Sequence, residues 1–272
     1  MSKINFTVAA DKCIQGDACA ADCPRKIIDR DKGVPFVRLE MESECLECQH
    51  CLAVCPTGAV SIFHLNPEDS LPLSADVLPS LEQMSTLVRG RRSVRQFREE
   101  NVPRSLIDGL LATLGNSPTG CNDRDLTFSV IDERAQLRRL IDKIATTLES
   151  KTDVLPFLDN AVSAYRQDGT DEFFRGAPHL LIVSAGKKAT CPQEDINLAL
   201  AYFELLARCA GLGTTWCGML KFTVDSIPEI RSDLGLEQDT PFYAMIFGYP
   251  NVHYARTVQR DRAAVVKRVT FD

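Results

Sequence analysis

Residues 45–56 of the chain are CLECQHCLAVCP. Two residues lie between the first and second cysteines and two between the second and third. Three residues lie between the third and fourth, and a proline follows the fourth directly. Sulfide-bridged iron prefers thiolate donors, and gaps of two residues let three thiolates converge from one tight loop. In such a run the fourth cysteine binds the other cluster of a pair. The stretch therefore predicts a second set of cysteines elsewhere in the chain.

The second set lies upstream, where residues 13–24 are CIQGDACAADCP. Its spacing and its proline match the first run, except that Gly16 stands where the middle cysteine is expected. Crossing the two runs in the usual way gives two sites. The complete site, for a [4Fe-4S] cluster, consists of Cys23, Cys45, Cys48 and Cys51. The second site has three thiolates, those of Cys13, Cys19 and Cys55.

The second site admits two kinds of cluster. Three thiolates suit a [3Fe-4S] cluster, or a [4Fe-4S] cluster in which water or Asp17 holds one iron. Structural zinc is the alternative for both runs, but zinc favours two well-separated cysteine pairs. Seven cysteines in two runs, each followed by proline, favour iron–sulfur clusters.

Length, composition, net charge and cysteine count limit the classes of function that are possible. A chain of 272 residues with 44% hydrophobic and 25% charged residues is typical of a soluble globular protein of one large or two modest domains. The net charge of −6 gives no support to nucleic-acid binding, and no apolar run is long enough to cross a membrane. The first residues lack the apolar core of a signal peptide, and without one the eleven cysteines argue against a disulfide scaffold. We expect a cytoplasmic protein of an organism that tolerates oxygen-sensitive clusters.

Composition divides the chain into three parts. Residues 1–64 form one small unit whose core is so limited that clusters would supply much of its folding energy. Its expected strands are Ile4–Val8, Pro35–Leu39 and Ala59–Phe63. Residues 65–80 contain three prolines with acidic and serine residues, which is typical of a linker. Residues 81–272 alternate helices and strands, a pattern that predicts an α+β or α/β layer fold.

Hydrophobic periodicity places the elements of this third part. The predicted helices are Ser105–Leu114, Glu133–Leu148 and Asp195–Cys209. The last of these is apolar nearly all round, so we expect it to be central. The predicted strands are Phe128–Ile131, His179–Ser184 and Tyr243–Gly248. His179 opens a buried strand and is expected to be structural.

Three stretches of this part could bind a ligand. Residues 89–95, RGRRSVR, could hold a phosphate, because guanidinium groups match its oxygens, or could be a solvated basic turn. Residues 117–122, SPTGCN, could be a binding loop or an ordinary connection. In residues 211–219, GLGTTWCGM, glycines could let the backbone approach a planar ligand or could cap a helix. The GxxxxGK[ST] and GxGxxG loops that bind nucleotides are missing, so no built-in NAD site is predicted.

The order of motifs RRS-x-R, SPTG-x-N, RGAP, GLGTTWCG and FGYP resembles that of the nitroreductase family of FMN enzymes over most of residues 84–262. With the cysteine runs included, the whole chain resembles ferredoxin–nitroreductase fusion proteins of anaerobic bacteria and archaea. The resemblance implies a ferredoxin-like domain followed by a three-layer α+β domain. It also implies a homodimer with two FMN sites at the subunit interface.

The resemblance further implies which residues bind FMN. The phosphate and ribityl contacts would be Arg91 and Ser93, with Arg92 adjacent. Arg95 would lie near the N1–O2 edge, where its charge would stabilise the reduced flavin. The loop from the partner subunit would supply Pro118, Thr119, Gly120 and Asn122. The segment at N5 would be Trp216, Cys217 and Gly218. The candidates for a C-terminal phosphate contact are Arg256 and Arg260, of which Arg260 is favoured.

The chain departs from the family at two places. Many members continue the asparagine loop as N-x-Q-P-W, whereas residues 122–126 are NDRDL. Because this loop borders the substrate side, we expect substrates other than the usual nitroaromatic compounds. Gly218 stands where some members place a glutamate beside N5.

These observations predict an FMN-dependent oxidoreductase that receives electrons through iron–sulfur clusters and reduces an organic acceptor such as a nitro compound or a quinone. No side chain is predicted to be catalytic, because the cofactor does the chemistry and solvent can supply protons. The expected electron donor is ferredoxin or another low-potential carrier, with NAD(P)H as the alternative. Two further hypotheses remain: a redox sensor or electron relay without its own substrate, which the gap at Gly16 favours, and a dehydrogenase or dehalogenase on the same scaffold.

Overall fold

The computed structural model describes residues 4–30, 33–74, 76–260 and 264–271. The chain divides into two compact units. The first unit is Met1–Pro79 with Cys121–Asp123, and the second is Ser80–Gly120 with Arg124–Asp272. The outer ends of the predicted domains, residues 1–3 and 272, lie outside the described residues, as does residue 75 of the predicted linker.

The first unit consists of two short antiparallel ribbons and two one-turn helices. The paired strands are β1 (Thr7–Val8) with β4 (Val60–Ser61), and β2 (Ile28–Asp29) with β3 (Phe36–Val37). The helices are α1 (Ala18–Ala21) and α2 (His50–Ala53). Each helix lies inside a cysteine run and follows a residue with left-handed backbone, Asp17 (φ 60°) or Gln49 (φ 59°). The two runs therefore repeat one local structure.

Cysteines form part of the core of this first unit. Cys19, Cys23 and Cys51 are buried together with a few aliphatic side chains, namely those of Ile4, Ile27, Ile28, Leu52, Val60 and Ile62. A core of this size leaves little apolar burial to hold the chain together. Ligand binding at these thiols is therefore coupled to the folding of the whole unit.

A four-stranded antiparallel sheet with strand order β5-β6-β8-β7 forms the centre of the second unit. Its strands are β5 (Leu126–Ile131), β6 (His179–Ala185), β7 (Gly213–Trp216) and β8 (Phe242–Gly248). The helices are α3 (Leu81–Gly90), α4 (Arg104–Leu114), α5 (Arg134–Glu149), α6 (Pro156–Asp168), α7 (Pro192–Cys209), α8 (Gly218–Ser226) and α9 (Pro228–Asp233).

Alternation along β6 builds a core on each face of this sheet. Leu180 and Ile182 pack with α5, α6, α8 and α9, whereas Leu181 and Val183 pack with α4 and α7. Because side chains alternate between the two faces of a strand, one run of apolar residues serves both cores. The result is a helix–sheet–helix arrangement, which confirms the predicted three-layer α+β class.

The long helix α7 packs on the sheet, as its composition predicted, but it is not buried all round. Its inner side belongs to the core that β6 and β8 share with α4. On its outer side Leu198 and Tyr202 are 41% and 44% exposed. The described residues thus leave these two apolar side chains of α7 partly uncovered.

His179 provides a test of this core through the pH dependence of stability. The ring is fully buried, and its Nε2 accepts a hydrogen bond of 2.7 Å from the N–H of Val102. Burial lowers the pKa of His179 from 6.5 to about 4. The folded state therefore keeps the ring neutral, and the stability this provides is complete above pH 6.5 and is lost as the pH falls towards 4.

We expect this loss to amount to about 3 kcal/mol of unfolding free energy, measured by urea unfolding at several pH values. His179→Gln keeps an acceptor for Val102 but does not titrate, so its stability should depend less steeply on pH. His253→Gln removes an exposed histidine and is the matched control. Identical pH dependence in wild type and His179→Gln would contradict the assignment.

Candidate functional sites

The four cysteines of the predicted complete cluster site line one cavity of the first unit. Cys23 comes from the end of the first run, and Cys45, Cys48 and Cys51 come from the second. The N–H of Glu47 donates a hydrogen bond to Sγ of Cys45 at 3.4 Å. Such N–H groups directed at cluster sulfurs are one of the features that set a reduction potential.

Burial favours the protonated form of two of these thiols when no metal is bound. It raises the pKa of Cys51 to about 12 and also raises the pKa of Cys45. A cysteine binds iron as the thiolate and not as the thiol, so cluster binding must release these protons. A bound metal cluster, rather than the bare chain, would therefore complete this site.

The three cysteines of the second predicted site line a separate cavity of about 130 Å³. Gly16 and Asp17 line it as well. Burial raises the pKa of Cys55, but hydrogen bonds outweigh this effect and bring the pKa below its usual value. The main donor is the N–H of Ala59, which lies 3.2 Å from Sγ of Cys55. The structure thus groups the cysteines as the crossed pattern predicted.

In the second unit, arginines gather at the end of α3. Arg91 and Arg92 line a small cavity together with Arg208 and Tyr254. Arg256 lines an adjoining cavity of about 490 Å³, which shares Gly90, Arg208 and Tyr254 with the first. Guanidinium groups clustered in this way fit a phosphate. Arg260 is exposed and is not among the residues that line either cavity.

Glu204 on α7 connects two of the predicted FMN contacts. This buried carboxylate accepts a hydrogen bond from Nη1 of Arg91 at 3.0 Å and lies 3.4 Å from the indole nitrogen of Trp216. The hydroxyl of Thr214 also donates to it at 3.4 Å. One carboxylate thus orients an arginine and an aromatic ring that are far apart in sequence.

The segment that carries Arg91 and Ser93 is held against strand β7. Ser93 forms a parallel bridge with Thr214, and the N–H of Val94 donates to the carbonyl of Thr214 at 2.9 Å. A Cβ on Gly213 would lie 2.7 Å from Cβ of Val94. Glycine is therefore required here by close approach of two backbones.

The predicted N5 segment follows β7 directly. The N–H of Cys217 donates to the carbonyl of Ala244 at 2.8 Å, and burial raises the pKa of its thiol to about 12. Cys217 is thus neither a nucleophile nor a free backbone donor. Gly218 begins α8, and the first N–H groups of a helix have no acceptor within it. Its N–H is the donor that this segment offers to a ligand.

The loop at residues 118–120 is fixed by polar contacts. The N–H of Gly120 donates to Oδ1 of Asp195 at 2.9 Å, and Oγ1 of Thr119 accepts from the N–H of Arg124 at 3.0 Å. A Cβ on Gly120 would lie 2.9 Å from Sγ of Cys191, so glycine is needed for close packing. Pro118 is exposed.

Two predicted FMN contacts do not line the cavities of the arginine cluster. Asn122 belongs to the first unit, where its Nδ2 donates to the carbonyl of Leu46 at 2.8 Å. Arg95 is exposed and lines a different cavity of about 850 Å³, which also contains Arg134, Arg138 and Arg175. Arg95 and Arg91 thus line different cavities of the second unit.

Sequence reasoning missed Glu204, Arg208 and Asp195. The two acidic residues lie among the buried positions of the apolar helix α7. An ionisable residue at such a position needs a partner, because an unpaired buried charge is costly. That signal is visible in the sequence, but it does not reveal which distant group is the partner.

Comparisons with known proteins agree with the fold of the second unit and with an iron–sulfur domain in the first part of the chain. Residues 12–60 match a 4Fe-4S dicluster domain. An FMN-bound nitroreductase from Bacteroides fragilis shares the fold of the second unit, with a TM-score of 0.56 and 22% identity over 68% of this chain and 99% of that one. The class of protein is therefore a flavin-dependent oxidoreductase with an iron–sulfur domain.

The chain belongs to the nitroreductase family, whose profile matches residues 88–249. An iodotyrosine deiodinase from Thermotoga neapolitana is 25% identical over 177 residues, which cover 63% of this chain and 90% of the relative. An iodotyrosine deiodinase from Danio rerio is 27% identical over 154 residues, which cover 51% of this chain. The match spans 50% of that relative's length.

The residues present fit both kinds of cofactor. Seven cysteines line two cavities in sets of four and three, which is the donor chemistry of iron–sulfur clusters. The arginine cluster and the N–H of Gly218 fit the phosphate and the polar edge of FMN. A buried Nε of Arg92 without a hydrogen-bond partner among the described residues offers one more donor to that anion.

Replacing Glu204 with glutamine tests the contact network around Arg91. The substitution keeps the shape but leaves a half-buried guanidinium without its counter-charge, so the free energy of unfolding should fall by about 1–3 kcal/mol. Trp216 is the only tryptophan of the chain, so its fluorescence should report the change directly. Glu194→Gln, an exposed position on the same helix, is the control and should change neither quantity. Equal behaviour of the two variants would rule out the positioning role.

Proposed function

We propose that this protein takes single electrons from a low-potential carrier through two iron–sulfur clusters and uses FMN to reduce a small organic acceptor, such as a quinone or a nitro compound. The main support for this proposal is that seven cysteines line two cavities, in the crossed sets that a dicluster domain requires. Clusters exchange single electrons, while flavins exchange one or two, which suits the pairing of these groups in one chain.

The complete set, Cys23, Cys45, Cys48 and Cys51, would hold a [4Fe-4S] cluster. Cys13, Cys19 and Cys55 would hold the second cluster, of the [4Fe-4S] or [3Fe-4S] type. In the second unit Arg91, Arg92 and Arg256 would bind the FMN phosphate, with Arg208 joining them and Arg260 as the further candidate. Ser93 would meet the ribityl chain, and Gly218 would donate its N–H at the N5 side beside Trp216 and Cys217.

A second copy of the chain would complete the flavin site. The outer face of α7 exposes Leu198 and Tyr202, and apolar side chains near the C-terminus are also exposed, namely those of Val265, Val266, Val269 and Phe271. Apolar patches of this kind mark protein interfaces. The loop with Pro118, Thr119, Gly120 and Asn122 would then reach the flavin of the partner. Arg95 would lie at the N1–O2 edge of a flavin.

Size-exclusion chromatography with light scattering tests the dimer. Wild type should be dimeric with FMN bound, whereas Tyr202→Glu should dissociate and lose FMN, and Tyr202→Phe should behave as wild type. A monomeric wild type that retains FMN would contradict the proposal.

Anaerobic turnover separates the proposed enzyme from its alternatives. Reduced ferredoxin should support steady reduction of menadione or nitrofurazone, and it should do so much faster than NADH. If NADH reduces the clusters and the flavin at the same rate as ferredoxin does, the role of a dedicated carrier is wrong. Reduction of the protein without turnover of any acceptor would favour a redox sensor.

Reductive dehalogenation is a second candidate, because the relatives that match the flavin domain include iodotyrosine deiodinases. The same reduced protein should then release iodide from 3-iodotyrosine. An iodide electrode measures this directly, and a rate no higher than that of free reduced FMN would exclude the activity.

A further inference from the structure

The cavity lined by Cys13, Cys19 and Cys55 contains one acidic residue, Asp17. We propose that the carboxylate of Asp17 binds the fourth iron of a [4Fe-4S] cluster at this site through its Oδ1 atom. The inference rests on the proposed function, since it requires that this site holds a cluster.

The backbone places Asp17 at the turn that leads into the cavity wall. Its φ of 60° lies in the left-handed region, and it precedes α1, whose residue Cys19 is buried. Although Asp17 occupies the N-cap position, its side chain makes no capping hydrogen bond. The usual use of an aspartate at a helix start therefore does not account for it.

The two carboxylate oxygens of Asp17 have different surroundings. Oδ2 pairs with Nη1 of Arg30, which fixes the orientation of the side chain. Oδ1 is buried and has no hydrogen-bond partner among the described residues. A buried oxygen of this kind is destabilising when it is unpaired. A metal ion at the cavity would remove that cost.

Chemistry favours the carboxylate over water as the fourth ligand. Carboxylates are established iron ligands, and Asp17 would supply the negative charge that the missing thiolate does not. Gly16, where the spacing expects cysteine, has room for a side chain: its Cβ would meet only Ile14, at 3.7 Å. The fourth thiolate is thus missing because of residue identity and not because the fold excludes it.

The complete site supplies an internal comparison. Gln49 occupies the position equivalent to Asp17, before α2 and with nearly the same backbone angle. There the preceding residue is Cys48, which already supplies a thiolate, and the chain has an amide instead of an acid. At this position, therefore, an acid occurs in the run that lacks its middle cysteine and an amide in the complete run.

Iron and sulfide counting with electron paramagnetic resonance tests the assignment on the full-length protein, prepared without oxygen. Wild type should contain about eight irons per chain, and Asp17→Asn about seven, with the signal of an oxidised [3Fe-4S] cluster. Ferricyanide should cause the same conversion in wild type only slowly, as [4Fe-4S]²⁺ loses one electron and one Fe²⁺ to become [3Fe-4S]⁺. Arg30→Gln removes the ion pair but keeps Oδ1, so it should retain about eight irons.

The double variant Gly16→Cys with Asp17→Asn should recover about eight irons, which shows that the domain still folds. About eight irons in Asp17→Asn itself, or about seven in wild type, would overturn the role of Asp17. A wild-type count near four would instead overturn the second cluster of the proposed function.

Discussion

Replacing Cys51 with serine should remove at least about one iron per chain, and up to about four, while FMN stays bound to the second unit. Cys51 lines the complete site and is only 7% exposed, so its thiolate meets iron in a dry, preformed position. A serine hydroxyl is a harder donor that deprotonates less readily, and it cannot replace the thiolate. No aspartate or glutamate among the described residues lines this cavity, so the three remaining thiolates can hold at most a [3Fe-4S] cluster.

Loss of iron from this site should lower both the stability of the first unit and the rate of turnover. The first unit has a small core to which Cys51 itself contributes, so the variant should be cleaved by protease under conditions in which wild type is stable. Turnover with reduced ferredoxin should fall by at least about tenfold, since loss of even an outer-sphere partner of a metal ligand costs about 10–100-fold. Reduction of FMN by dithionite should remain, because that flavin lies in the other unit.

Cys209→Ser is the matched control for this experiment. Cys209 is an exposed thiol of the second unit and belongs to neither cysteine run. Its iron content and protease resistance should equal those of wild type. If Cys51→Ser keeps all its iron, Cys51 is not a ligand, and the crossed assignment of the two runs is wrong.

The cysteine cavities and the sheet could be predicted because local pattern carries both. The spacing of the cysteines is visible in two short stretches of sequence. The structure places those cysteines in two cavities, in the two expected sets. The apolar run in β6 predicted a buried strand, because few other structures bury every residue from His179 to Val183. The strands of the first unit are shorter than predicted, since only two residues of each pair in a ladder.

Three of the helices that sequence reasoning missed, α3, α6 and α9, bury few side chains. In α6 only Leu158, Ala161 and Val162 are buried, and α9 buries Ile230 alone. Helix α3 begins at the end of the predicted linker, where Ser80 and Gln83 form a capping box. Such short-range caps start a helix without any long apolar stripe.

The partners within the flavin site were out of reach for another reason. Glu204 contacts Arg91, which lies 113 positions earlier in the chain. Nothing in the local sequence of either residue specifies the other, because the fold of the sheet and α7 brings them together. Long-range contacts of this kind require the tertiary structure.

Replacing Gly213 with alanine should destabilise the second unit and abolish tight FMN binding. The new Cβ would lie 2.7 Å from Cβ of Val94, and both atoms are attached directly to backbone, so neither can rotate away. Val94 is 5% exposed and hydrogen-bonded to Thr214, so the whole segment from Arg91 onwards would have to move. Overpacking of this kind costs about 1–3 kcal/mol of unfolding free energy. Because the displaced segment carries Arg91 and Ser93, FMN affinity should fall along with stability.

Gly109→Ala separates this clash from a general effect of adding a methyl group. Gly109 lies inside α4, and no heavy atom of the described residues would lie within 4 Å of its new Cβ beyond the helix itself. Alanine there should stabilise the protein by about 0.5–1 kcal/mol, since glycine is unfavourable within a helix. Urea unfolding followed by the fluorescence of Trp216, with FMN titration of the apoprotein, measures both effects. If Gly213→Ala binds FMN as tightly as Gly109→Ala does, the docking of Val94 on β7 does not position the flavin site.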